Sequence, residues 1–109
     1  MTDLEMTRLC AEAMGYQHGR PKHQPHTQVW VSGDEYSGSV DDDWFRYDPL
    51  HDDAQAMALV KKFRPIIGTA LEPTLWHIGF PFTPYWVDNE NLNRAIVECL
   101  AKMQLEKQK

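Results

Sequence analysis

Three amphipathic helix patterns, one at each end of the chain and one near its middle, constrain the fold of this 109-residue sequence more than any other feature. In the first, from Thr2 to Met14, apolar residues recur at roughly helical spacing, which places them on one face. Thr2 and Glu5 have the spacing of a capping box, and Gly15 is suited to end the helix in a left-handed conformation. The sequence therefore predicts a first helix over these residues.

The second pattern runs from about Asp52 to Phe63, and the third begins after Asn89 or Asn91. Asp52 or Asp53 can cap the middle helix, and an early acid suits the positive end of the helix dipole. The last helix has apolar residues at spacings of three and four without interruption, namely Leu92, Ala95, Ile96, Cys99, Leu100 and Met103. Both patterns predict helices with one buried face.

Short segments rich in β-branched and aromatic residues lie between these helices and predict four strands. They are residues 28–32, 43–47, 74–79 and 85–87. A Gly-, Ser- and Asp-rich connection joins the first pair and the turn Phe80–Pro84 joins the second, so each pair predicts a β-hairpin. The segments Tyr16–Thr27 and Pro65–Pro73, which contain glycine and proline, predict loops.

The predicted order of elements is α-β-β-α-β-β-α, which favours an α+β fold. Connections of hairpin length imply a mostly antiparallel four-stranded sheet, and the three helices must cover at least one of its faces. A length of 109 residues is typical of one domain. We therefore expect residues 1–109 to form a single domain.

Composition restricts the location and the partners of the protein. Hydrophobic residues make up 42% and charged residues 25%, as is typical of soluble globular proteins. No apolar run approaches the roughly 20 residues needed to cross a bilayer, and charges at Asp3, Glu5 and Arg8 argue against a signal peptide. We expect a cytosolic protein without a membrane partner. The net charge of −5 argues against nucleic acid, whose binding requires many basic side chains.

The two cysteines, Cys10 and Cys99, fall on the apolar stripes of the first and last helices. Such positions favour small, buried side chains that remain reduced in a cytosol. A disulfide between them is the alternative.

Three segments, in this order, resemble the phage ABA sandwich domain family of small phage and prophage proteins. Residues 10–16 are similar to the family's Ala-Glu-x-x-Met-Gly-aromatic helix end, residues 47–63 to its central motif of a Tyr, a polar turn and a helix, and residues 93–100 to its C-terminal helix. Residues 56–58 depart from the family, which often has Trp in the central helix. The resemblance implies an α-β-α sandwich with helices on both sheet faces, a phage or prophage origin and a location in the host cytoplasm. It implies no reaction and no catalytic residues.

Two groups of polar residues contain side chains that bind metals in other proteins. His18, His23 and His26 lie in a Pro-rich segment, but their spacing does not match a zinc motif. The acids Asp34, Glu35 and Asp41 to Asp43 lack the alternation of a calcium loop. The sequence therefore predicts neither a metal site nor a cofactor.

Asp48, His51, Asp52 and Asp53 bring carboxylates and an imidazole to the start of the middle helix, a grouping that general acid–base catalysis can use. Each also has a structural explanation, because Asp48 precedes a proline turn and the later acids can cap the helix. His77 is predicted within a strand, where a packing role is favoured. Since nucleophile elbows, phosphate loops and dinucleotide fingerprints are also missing, we predict no catalytic residues and no enzyme activity.

Aromatic residues are concentrated in the segment Phe80–Trp86, which includes two prolines. The chain also has one tryptophan in each predicted strand, at Trp30, Trp44, Trp76 and Trp86. Exposed rings at this density are typical of an interface, whereas local packing against the last helix is the structural alternative. The predicted binding residues are Phe80, Phe82, Tyr85 and Trp86.

The sequence therefore favours a small, non-enzymatic phage or prophage accessory protein that acts by protein binding. A host or phage protein is the expected partner, and a counter-defence role is consistent with phage origin. One alternative is a small-ligand or nucleotide-binding protein, or an enzyme, with a pocket bordered by Asp48, His51 and the strand tryptophans. Another is a homo-oligomeric structural protein that pairs its sheet edge or aromatic turn with a second copy.

Overall fold

The computed structural model describes residues 1–19, 29–32, 44–69 and 74–108, which form an α+β fold. Its helices are α1 (Asp3–Ala13), α2 (Asp53–Phe63) and α3 (Leu92–Lys107). Its strands are β1 (Gln17–Gly19), β2 (Val29–Ser32), β3 (Trp44–Tyr47), β4 (Ile66–Thr69), β5 (Trp76–Gly79) and β6 (Val87–Asn89). The strands form two antiparallel sheets, sheet A with order β1-β2-β3 and sheet B with order β4-β5-β6. The predicted fold class is confirmed.

The predicted single four-stranded sheet is not formed by the described residues. Both predicted hairpins are present, because β2 pairs with β3 and β5 pairs with β6, but they belong to different sheets. Each hairpin gains a third strand from a segment predicted as a loop, Gln17–Gly19 in sheet A and Ile66–Thr69 in sheet B. A strand depends on the partner it pairs with more than on its own composition, which explains both omissions. Residues 20–27 of the predicted loop and 33–42 of the hairpin connection lie outside the described residues.

The three helices begin at the predicted capping residues. The Thr2 hydroxyl accepts a hydrogen bond from the Glu5 backbone N–H at 3.1 Å, and the Glu5 side chain accepts one from the Thr2 N–H, as in a capping box. Asp52 caps α2 and Asn91 caps α3 in the same way, each through its side-chain oxygen. Gly15 has φ of 82° and ends α1, as predicted.

The core is built around α3, which packs against α1, α2 and the strands β5 and β6. Helix α1 contacts β1 and β2 of sheet A, while α3 contacts β5 and β6 of sheet B. The α1–α3 contact therefore connects the two sheets. Fully buried side chains from the three helices and from both sheets fill the interior, among them Met6, Val31, Leu59, Ile78, Ile96 and Leu100. In the part of the chain that the structure describes, no helix has the length and apolar character needed to cross a membrane.

The two cysteines are buried and free, as predicted. Cys10 donates its S–H to the Val97 carbonyl oxygen at 3.4 Å, across the α1–α3 contact. Burial raises the pKa of the Cys10 thiol to about 12 and that of Cys99 to about 11. Both side chains therefore act as small hydrophobic residues at neutral pH.

Candidate functional site

The segment Phe80–Trp86, called the aromatic turn below, connects β5 to β6. Its conformation is held by Thr83, whose hydroxyl donates to the Phe80 carbonyl at 2.8 Å and accepts from the Tyr85 N–H at 3.4 Å. The prolines of the turn fix two further φ angles. The backbone of the turn is therefore restrained.

Phe82, at the tip of this turn, is fully exposed. Its backbone has φ of 65°, in the left-handed region, which costs a residue with a Cβ about 1–2 kcal/mol. Glycine or asparagine would adopt this conformation more readily than phenylalanine. Neither packing nor backbone preference accounts for a phenyl ring at this position.

The other three predicted binding residues have packing roles. Phe80 and Tyr85 are half-buried and pack against the core. The Trp86 ring is stacked on His77, with 4.5 Å between ring centroids and 12° between ring planes. It also covers Gly79 so closely that any Cβ at that residue would overlap the indole. The structure thus separates one exposed ring from three that anchor the turn.

A polar pair lies next to Trp86 on the outer face of sheet B. Because side chains alternate along a strand, Ile78 faces the core and His77 faces the opposite side. His77 Nδ1 lies 2.5 Å from a carboxylate oxygen of Asp88, its direct partner in β6. Ile66 pairs with Gly79 in register, so its exposed side chain neighbours the Trp86 ring on this face. The turn therefore adjoins a surface with both apolar and polar groups.

Asp48 and His51, the residues of the alternative pocket, lie next to each other. The Asp48 carboxylate lies 3.0 Å from His51 Nδ1 and 3.2 Å from the Arg46 guanidinium. These three residues line a cavity of about 130 Å³ together with Asp3, Thr7 and Tyr47. Trp30, Trp76 and Trp86 do not border it. His51 is 78% exposed, so water reaches most of the imidazole.

The remaining acids of this region have structural roles. Asp52 caps α2, and the Asp53 carboxylate accepts a hydrogen bond from the Asn93 side chain at 2.8 Å. Asp52 and Asp53 therefore do not join Asp48 and His51 at this cavity. The described residues contain no group of three His, Cys, Asp or Glu side chains placed to hold a metal. The predicted histidine and Asp-rich groups have side chains outside the described part of the chain.

Sequence reasoning missed Gln55, which joins α2 to the end of β3. Its side-chain oxygen accepts from the Asp48 N–H at 2.6 Å, and its side-chain nitrogen donates to the Arg46 carbonyl at 3.0 Å. A polar residue within an amphipathic helix carries no signal for such a role. Gly79 was also missed, although a glycine within a strand often marks a close approach.

Comparison of the chain with protein-family models, with curated proteins and with solved structures found no match. The geometry of the aromatic turn and of the cavities is therefore the basis for assigning a function.

Proposed function

We propose that this protein acts by binding another protein, and that Phe82 is the residue that enters the partner. The observation that carries the proposal is the fully exposed phenyl ring on a left-handed backbone. Backbone strain of this kind is typical of functional segments, where the surrounding structure enforces it. Large aromatic residues are also enriched among the residues that dominate binding energies.

The surroundings of Phe82 favour an anchor of this kind. Burial of a phenylalanine side chain contributes about 1.5–3 kcal/mol. Thr83 and the two prolines restrain the turn before binding, which reduces the entropy lost when a partner orders it. The exposed apolar area of Ile66, beside Trp86, offers further contact on the outer face of sheet B.

The resemblance to the phage ABA sandwich domain family extends this proposal to the origin of the protein and the kind of partner it binds. On that basis the protein is an accessory protein of a phage or prophage, its partner is a host or phage protein in the host cytoplasm, and a counter-defence role fits. The gene neighbourhood tests it, because a phage operon supports the origin and an unrelated bacterial operon contradicts it.

The experiment that tests the binding role compares the tagged wild type with Phe82→Asn in host lysate, with bound proteins identified by mass spectrometry. Asparagine tolerates the left-handed backbone, so the variant removes the ring without disturbing the turn. Phe45→Asn is the control for loss of an exposed ring, and because the Phe45 ring also packs edge-on against Tyr16, its melting temperature is first compared with that of the wild type. We expect a protein that the wild type and Phe45→Asn retain and Phe82→Asn loses. Equal recovery by all three proteins, or no specific partner, contradicts the proposal.

Self-association through the same turn is the second form of this proposal. Light scattering over a range of concentrations separates the two forms. A dimer of the wild type that Phe82→Asn abolishes assigns the ring to a second copy, and a monomer at high concentration removes this form.

The cavity at Asp48 supports a second candidate function, the binding of a small ligand. It offers the Asp48 carboxylate with an imidazole and a guanidinium each within hydrogen-bond distance of it. A panel of nucleotides added to the protein provides the test. Under this candidate one compound raises the melting temperature, and Asp48→Asn removes the increase. A panel without effect on the wild type removes nucleotide binding from consideration.

A further inference from the structure

A groove, called the α2–α3 groove below, lies between the first turns of α2 and α3. Its volume of about 480 Å³ falls in the range of roughly 300–1,000 Å³ that is common for ligand sites. It lies at the N-terminal end of α2. The aromatic turn follows Gly79, which pairs with Ile66 just beyond the C-terminal end of α2. The two surfaces are therefore separate.

The floor of the groove is apolar. Ala56 and Ile96 are each 1% exposed and form its base, and the half-buried Leu92 also lines it. Met57 is 43% exposed and lines the groove from α2. Methionine side chains are flexible and polarizable, and they adapt to the shape of a bound partner. The groove thus offers aliphatic contact without a rearrangement of the core.

Acidic residues complete the lining of the groove. Asp53 and Glu90 line it, and neither has an ion-pair partner among the described residues. The Asn93 side chain donates to one carboxylate oxygen of Asp53 at 2.8 Å and so fixes its orientation. No described residue donates to the second oxygen of Asp53. That oxygen and the Glu90 carboxylate are positioned to accept hydrogen bonds from a cation.

The N-termini of α2 and α3 meet at this groove and would by themselves favour an anion. Each terminus is already capped, by Asp52 and by Asn91. A helix N-terminus carries about half a positive charge, so the two together offset about one of the two carboxylate charges. The lining remains negative, and a cationic ligand is favoured.

We propose that the α2–α3 groove docks a basic amphipathic segment of a partner protein. An aliphatic side chain of the segment packs on Ala56, Met57 and Ile96, and a Lys or Arg pairs with Asp53 and Glu90. Charge complementarity of this kind sets specificity and association rate, while the apolar floor supplies most of the affinity. The inference is independent of the role of Phe82.

The probe is a short amphipathic helical peptide of leucine and lysine. Its binding is measured by the changes in the amide chemical shifts of the full chain. We expect the largest changes in amide chemical shift on peptide addition at residues 53–57 and 90–96. Glu90→Gln should weaken binding by about two- to fivefold, as expected for one exposed ion pair. Glu98→Gln makes an equal change of charge on α3 outside the groove and should leave the affinity for the peptide unchanged. Met57→Lys, which adds a like charge and removes apolar contact, should weaken it by about tenfold or more.

Four results would overturn the proposal. Shifts spread evenly over the acidic surface, or equal binding of a peptide with glutamate in place of lysine, would show that no specific site exists. Unchanged binding by Met57→Lys would remove the groove from the interaction. A dimer of the wild type that Met57→Lys disrupts would assign the groove to a second copy. Phe82→Asn should bind the peptide normally, which separates this test from that of the aromatic turn.

Discussion

Replacement of Gly79 by alanine tests how the aromatic turn is anchored to sheet B. A Cβ at this residue would lie 2.6 Å from Cε3 and 2.8 Å from Cγ of Trp86, and nearer still to Cδ2. A Cβ is fixed to the backbone, so the indole must move instead. In Gly79→Ala we therefore expect the ring to lose its stacked position on His77, where the centroids are now 4.5 Å apart.

The magnitude follows from three contributions. Overpacking of this kind costs about 1–3 kcal/mol. Loss of the stacked pair costs about 0.5–1.5 kcal/mol more. Alanine in a strand is favoured over glycine by about 0.5–1 kcal/mol, which offsets part of this destabilisation. We expect a net loss of about 1–3 kcal/mol in the free energy of unfolding, or about 4 °C of melting temperature for each kcal/mol in a domain of this size.

Gly68→Ala is the matched control, because Gly68 lies in the neighbouring strand and a Cβ there has no atom within 4 Å. It should be neutral or stabilise the protein by up to about 1 kcal/mol. Urea unfolding followed by circular dichroism measures both variants. In a double-mutant cycle, Trp86→Ala should remove most of the cost of Gly79→Ala. Equal stabilities of the two glycine variants, or additive effects in the cycle, would show that the indole does not restrict this position.

Three further outcomes are expected. Gln55→Ala should lose about 1–2 kcal/mol of unfolding free energy in urea titrations, because two backbone groups of the β3–α2 connection lose their partner; Gln104→Ala on α3 is the control, and an equal effect would contradict this role. Stability should fall as pH rises above about 9, since unfolded thiols lose protons from a pKa near 9.0 while Cys10 and Cys99 stay protonated to about 12 and 11. Urea midpoints at pH 8 and pH 10 measure this decrease, which should be smaller when both cysteines are alanine. Phe82→Asn should leave the melting temperature unchanged or raise it slightly, because the left-handed backbone is less strained; a clear decrease would mean that the ring stabilises the fold.

The helices could be predicted closely because their signals are local. A capping box at Thr2 depends only on residues within one turn, and it is present. The choice between Asn89 and Asn91 at α3 was open in sequence. The structure assigns the cap to Asn91, whose own N–H is held by the Asn89 side chain at 2.9 Å. The strands β1 and β4 could not be predicted, because each contains a glycine, lies in a segment that also has proline, and forms by pairing with a neighbouring strand.

The aromatic turn shows what composition can indicate about a site and what it cannot. A cluster of rings is visible in the sequence, but the role of each ring depends on backbone geometry. Trp86 packs closely because its neighbour Gly79 lacks a Cβ, whereas Phe82 has a positive φ and is fully exposed at the tip of the turn. The turn would be at least as stable with asparagine at residue 82. On this expectation stability does not require the phenyl ring, which agrees with the binding role proposed for Phe82.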